Sequence, residues 1–261
     1  MYGAIIGDIV GSRFEWNNIK TKQFELFHDS CKFTDDTVMT VAIANALEQI
    51  EPQDIYNDNM IKQMVICSLK EYGKLYPEVG YGGLFKRWLN SENSEPYNSF
   101  GNGSAMRVSQ AGWLYDTLYD TERVAQVTAS VTHNHEEGLK GAKVVAGCIY
   151  LARTVNDKEE IKKYAIKNGY EIKTCDEIRP TYVFNSTCQG TIPQAISAFL
   201  EGENFEDVIR TAVSLGGDCD TLTCIAGSIA EAFYNIPDMF KEFCYTYLDK
   251  HLEIKLKQLN K

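Results

Sequence analysis

Apolar residues recur along this chain at intervals of three and four, the spacing of one helix face. Met60, Ile61, Met64, Val65, Leu69 and Tyr72 form such a stripe between Ile55 and Tyr72, with Asp54 placed to cap it. Leu139, Ala142, Val145, Ala146, Ile149 and Tyr150 form another. Asp157 with Glu160, and Asn204 with Asp207, have the spacing of capping boxes, and Asn168-Gly169 reads as a helix stop. Near the start, Gly3, Gly7 and Gly11 lay a smooth stripe along one helix face, where another backbone can approach closely. Strand alternation is nearly missing: the β-leaning stretch Thr181–Phe184 is short and follows Pro180. The segment Ser91–Ser99 is a polar loop leading into a glycine-rich turn. No repeat or low-complexity segment interrupts the pattern. An all-α fold follows, as a single compact multi-helix domain over residues 1–261.

Charge narrows the partners. Lys and Arg number 26 against 36 Asp and Glu, a net charge of -10, which argues against sequence-independent binding of nucleic-acid backbones but leaves room for a small anionic ligand held locally. The eight cysteines form no CxxC pair and sit in apolar or helical surroundings, so buried, reduced thiols are expected. Asp8 interrupts the first apolar run, no basic region precedes it, and no run approaches the ~20 apolar residues of a membrane span. A soluble, cytoplasmic protein without a membrane partner is the expectation. The oligomeric state is not legible.

Two acidic clusters stand out against the apolar pattern. In KFTDDTVMT, Asp35 and Asp36 are adjacent at a helix entrance. Two carboxylates ~4 Å apart repel by about 1 kcal/mol in water and about 4 kcal/mol at an effective dielectric near 20. Thr34 as N-cap and the helix dipole can offset part of this. The second cluster, SLGGDCDTL, repeats the chemistry, with Asp218, Asp220 and Thr221 after the loose backbone of Gly216 and Gly217. Helix capping explains one of that second pair and explains both poorly. Four carboxylates and two hydroxyls make an all-oxygen set suited to hard divalent ions such as Mg²⁺ or Mn²⁺. Cys219 is expected to point away, and His133 and His135 lack the further His or Cys partners of a zinc site. Composition alone leads to a metal-dependent hydrolase in a helical domain.

The ordered motifs GAIIGDIVGSRFE, FTDDTVMTVAIANAL, GNGSAMRV, VTHNHEEGLKGA and SLGGDCDTLTCIAGSIAEAFY resemble the ADP-ribosylglycohydrolase family, from Tyr2 to about Pro237. The resemblance implies an all-α fold and a centre of two divalent cations, Mg²⁺ or Mn²⁺, that cleaves the glycosidic bond at the distal ribose of ADP-ribose. Thr34, Asp35 and Asp36 match one metal-ligand motif, and Asp218, Asp220 and Thr221 the other. Glu15 matches a glutamate near the metal or in acid/base chemistry, and Asp35 and Asp220 share the catalytic centre as ligands first. Asn102, Gly103 and Ser104 match the loop that holds the diphosphate and distal ribose, and His133 a ligand-contacting histidine. Asp8 is expected to form buried hydrogen bonds, Met106 to be buried, Arg107 to be structural, and Tyr81–Gly83 with the following aromatics to form a loop and core, not a lid.

The partner so implied is an ADP-ribosylated protein side chain, such as arginine or serine, or a small-molecule or nucleotide conjugate of ADP-ribose. Two alternatives stay open: a metal-dependent nucleotide phosphoesterase, and a non-catalytic, ADP-ribose-binding or structural member of the same fold. Retention of both metal-ligand triplets favours the enzyme.

Overall fold

The computed structural model describes residues 1–259, and the helical periodicity is realised there as fifteen α-helices. They are α1 (Tyr2–Ser12), α2 (Asp35–Leu47), α3 (Asp58–Leu75), α4 (Gly83–Asn90), α5 (Gly103–Met106), α6 (Ala111–Leu114), α7 (Leu118–Ser130) and α8 (Glu136–Thr154). The second half adds α9 (Lys158–Lys167), α10 (Cys175–Ile178), α11 (Cys188–Glu201), α12 (Phe205–Leu215), α13 (Cys219–Phe233), α14 (Asp238–Tyr247) and α15 (Lys250–Leu259). Among the described residues the sole β pairing is an isolated bridge between Gly101 and Thr187. Thr181–Phe184 is turn and coil. No described helix is long and apolar enough to cross a membrane.

The core is organised around α1 and α13, both buried on nearly every side. A helix that is apolar all round belongs at the centre of its domain, and α1, α2, α5, α8, α11 and α12 all pack on α13. Leu222, Ile225 and Ile229 of α13 are fully buried, each stabilising the fold by roughly 2 kcal/mol. The glycine stripe sets the closest approach. A Cβ on Gly3, Gly7 or Gly11 would overlap the carbonyl oxygen of Gly227, Thr223 or Cys219 respectively. The two backbones therefore touch with nothing between them.

Local signals held with shifts at the ends. The stripe read between Ile55 and Tyr72 is α3, displaced to Asp58–Leu75 and capped by Asn57, which accepts from the Met60 amide at 3.1 Å; Asp54 closes a preceding 3-10 turn instead. Asn168 and Gly169, the latter at φ +87°, end α9. Asp157 and Asn204 cap α9 and α12 through their side chains, but neither makes a capping box; among the described residues the reciprocal box is the one that caps α10, through Thr174 and Glu177. Seven cysteines are buried and all eight are free thiols, while Cys67 is exposed on the outer face of α3.

Candidate functional site

Two helix entrances meet at one end of the α1–α13 pair. Thr34 caps α2 by accepting from the Asp36 amide at 3.2 Å, which fixes Asp35 and Asp36 in the first turn. Asp218 occupies the cap position of α13 but makes no side-chain capping bond, so its carboxylate is free to face the cavity. The turn before it requires glycine: Gly216 and Gly217 sit at φ +73° and +78°, and the Tyr182 ring fills the space a Gly217 side chain would need. Asn18 clamps that turn, accepting from the Gly217 amide at 2.7 Å and donating to its carbonyl at 3.0 Å.

The two motifs that lie far apart in sequence are bonded to each other. The Thr221 hydroxyl donates to Asp36 Oδ2 at 3.2 Å. Behind them Asp8, fully buried on α1, accepts from the Thr34 amide (2.9 Å) and hydroxyl (2.7 Å) and from the Thr37 amide (3.0 Å) and hydroxyl (2.5 Å). Asp8 is thus spent on hydrogen bonds, as its place beside the glycine stripe leads one to expect. With its proton committed to Asp8, the Thr34 oxygen can only accept, which is what a metal ligand must do.

Carboxylate oxygens of Asp8, Asp36 and Asp220 lie within 4.8 Å of one another, and so do those of Glu15, Asp218 and Asp220. Asp220 is common to both groups. Asp35 lines the same cavity without joining either. Burial raises the pKa of Asp35 to about 8, with Asp8, Asp218 and Glu15 adding repulsion. Burial likewise pushes Asp36 and Asp220 well above the usual carboxylate range and raises Asp218. Glu15, just beyond the end of α1, is raised to about 6 by burial and by Asp218, with Lys32 acting against that. Asp36 Oδ1 is buried with no hydrogen-bond partner. An orphaned carboxylate oxygen among repelling carboxylates is the environment a hard divalent cation relieves, so the residues fit such an ion.

The cavity in front of these groups is about 490 Å³. Asn102 enters it from the loop before α5, donating from Nδ2 to Asp218 Oδ2 at 2.7 Å and to the Thr191 hydroxyl at 3.0 Å. Gly103 and His133 line it as well. Ser104 does not: its hydroxyl donates to the Gly138 carbonyl at 2.8 Å, tying α5 to α8. His135 caps α8, where Glu136 and Glu137 are first-turn acids. Tyr81 and Phe85 are buried and packed together, while Gly80, Gly82 and Gly83 wall the cavity beside Asp35.

Arg107 is more than a core residue. It lies fully buried against the cavity, lowered by desolvation to about 10, and donates to the Thr132 hydroxyl at 2.7 Å. Thr132 Oγ1 lies 2.8 Å from His133 Nδ1. Arginine can only donate, so the Thr132 oxygen accepts there, which favours turning its own hydrogen to Nδ1 over accepting a second time. In that arrangement His133 is the Nε2–H tautomer, and its Nε2 faces Gly101 and Gly103. Burial and Arg107 hold its pKa well below the ordinary 6.5, so it is a neutral donor. Trp16 and Phe184 line this site and belong to no sequence motif, the adjacency of Trp16 to Glu15 being the one available hint; Thr132, inside VTHNHEEGLKGA, acts on the site through Arg107 and His133.

A family model described as ADP-ribosylglycohydrolase matches residues 1–253. The chain is similar to ADP-ribosylhydrolase ARH3 of Mus musculus, 26% identical over 93% of this chain and 85% of that protein. It is also similar to ADP-ribosylarginine hydrolase Tri1 of Pseudomonas putida (strain GB-1), 26% identical over 93% of this chain and 71% of that one. A solved structure of an ADP-ribosylglycohydrolase-related protein complex shares the fold, with a TM-score of 0.68 at 24% identity, covering 99% of this chain and 95% of the other.

Proposed function

The chain belongs to the ADP-ribosylglycohydrolase family, and from that membership we propose that it hydrolyses the glycosidic bond between ADP-ribose and an acceptor, using two divalent cations, Mg²⁺ or Mn²⁺. The acceptor is a modified protein side chain such as arginine or serine, or a small-molecule conjugate. The observation that carries this reading is the meeting of both acidic motifs around the partnerless Asp36 Oδ1 at the head of the cavity.

Thr34, Asp35, Asp36, Asp218, Asp220 and Thr221 would hold the cations, with Asp220 at the junction of the two carboxylate groups. Divalent cations supply a lowered pKa for water and polarisation of ribose hydroxyls. The protein's residues do the rest. Glu15, half-buried with a pKa raised to about 6, can take a proton from water and return it to the leaving group at its carboxylate oxygen. Asn102 donates toward the carboxylate end, and Gly103 leaves room for a ligand to approach the backbone. The neutral His133 offers Nε2–H to a diphosphate or ribose oxygen. Arg107 sustains that tautomer through Thr132.

ADP-ribosyl-arginine and ADP-ribosyl-serine peptides incubated with Mg²⁺ or Mn²⁺ test the reading. Turnover should vanish with chelator and fall by at least about 100-fold in Asp220→Ala, several kcal/mol of transition-state stabilisation. Metal-independent turnover, or full activity in Asp220→Ala, sinks it.

A further inference from the structure

The rim of the cavity carries an exposed apolar surface that the proposed chemistry does not use. Trp16 and Phe184 both line the cavity yet are 75% and 43% exposed, and Val183 beside them is 71% exposed. The two rings stack with centroids 5.1 Å apart and planes 16° from parallel. The loop that presents Val183 and Phe184 is anchored at both ends. Lys20 Nζ donates to the Tyr182 carbonyl at 2.8 Å, and the Tyr182 ring packs on Gly217. On the other side the Asn102 backbone N–H donates to the Ser186 carbonyl at 2.9 Å, and Thr187 pairs with Gly101. Side chains held in water by a fixed backbone, at the mouth of a site, mark a contact surface.

We propose that Trp16, Val183 and Phe184 are the platform that receives the acceptor, and that the acceptor they fit is the guanidinium of a modified arginine. The inference rests on reading the cavity as an ADP-ribosyl hydrolase site. Trp16 adjoins Glu15 and lines the cavity with it, and the acid that protonates a leaving group must face that group. The acceptor therefore lies over Trp16. A guanidinium is planar, cationic and weakly hydrated, so it stacks on aromatic faces. A seryl oxygen offers neither plane nor charge. A nucleobase offers a plane but no positive charge to meet the negative face of the ring.

The test compares kcat/KM for matched peptides carrying ADP-ribosyl-arginine or ADP-ribosyl-serine, in the full chain and in Trp16→Ala, Phe184→Ala and Trp16→Phe. Affinity for free ADP-ribose, which lacks the acceptor, is measured alongside. The wild type should favour arginine. Trp16→Ala should lower the arginine-to-serine ratio about five-fold, more than it changes ADP-ribose affinity, and Trp16→Phe should recover most of the ratio. Equal losses on both peptides, an equal loss of ADP-ribose affinity, or a wild-type preference for serine would overturn the platform while leaving the hydrolase reading intact. Cleavage of neither peptide by the wild type would overturn the hydrolase reading, and this inference with it.

Discussion

Removing divalent cations should make this protein less stable as pH rises. Asp35, 3.8 in the unfolded reference, is raised to about 8 by burial and by Asp8, and Asp36 and Asp220 are raised in the same direction. Between those two values the folded protein holds a proton that the unfolded chain has released. The stability this contributes is full below the unfolded pKa and is lost as pH climbs toward the folded one. One such proton is worth ~1.4 kcal/mol per pH unit, so Asp35 alone costs about 3 kcal/mol between pH 5 and 7, against a total stability of roughly 5–15 kcal/mol. Saturating Mg²⁺ supplies the missing positive charge and should flatten the slope, besides stabilising by mass action. Urea unfolding followed by circular dichroism at pH 5, 6 and 7, in chelator and in Mg²⁺, reads both effects. Asp35→Asn should remove one proton's worth of slope from the chelated protein. Chelated protein as stable at pH 7 as at pH 5, or a slope that Mg²⁺ leaves untouched, would refute the account of the carboxylate cluster.

Three further outcomes follow from the packing and the hydrogen bonds. Gly7→Ala drives a methyl into the Thr223 carbonyl and should cost about 1–3 kcal/mol in urea unfolding; a neutral result would mean α1 and α13 are not in backbone contact. Asp8→Asn keeps the shape but turns an amide toward hydroxyl and amide donors of Thr34 and Thr37, and should cost roughly 1–3 kcal/mol for each donor left unpaired, measured the same way. Nitrogen-15 NMR of His133 should show the neutral Nε2–H form without titration from pH 6 to 8, and Thr132→Val should weaken ADP-ribose binding about five-fold, or about 1 kcal/mol; a proton on Nδ1 would break the Arg107–Thr132–His133 chain.

Features set by spacing were legible in the sequence. The glycine stripe told of a backbone contact because only an absent side chain permits one, and the structure supplies α13 as the partner. The adjacent aspartates at a helix entrance told of an acidic site because repulsion between neighbours is a local fact, and the structure brings Asp218 and Asp220 to the same cavity; the thiol of Cys219 does turn inward, to the Val213 carbonyl. Features set by tertiary anchoring were not legible. Ser104 sits in a motif shaped like an anion loop, yet its side chain is used by Gly138, a residue of a later helix. Arg107 reads as core until Thr132 and His133 are brought beside it. Cys67 reads as buried with the other cysteines but lands on the outer face of α3, because it stands two positions from both Val65 and Leu69 of the buried stripe. Trp16 and Phe184 come from coil segments, where no periodicity tells which way a ring points.

The most direct measurement is identification of the product released from an ADP-ribosylated peptide. With Mg²⁺ or Mn²⁺ present, mass spectrometry should find intact ADP-ribose and the unmodified peptide, and neither with chelator. Release of AMP or phosphate, leaving a phosphoribosyl remnant on the peptide, would contradict glycosidic cleavage at this centre.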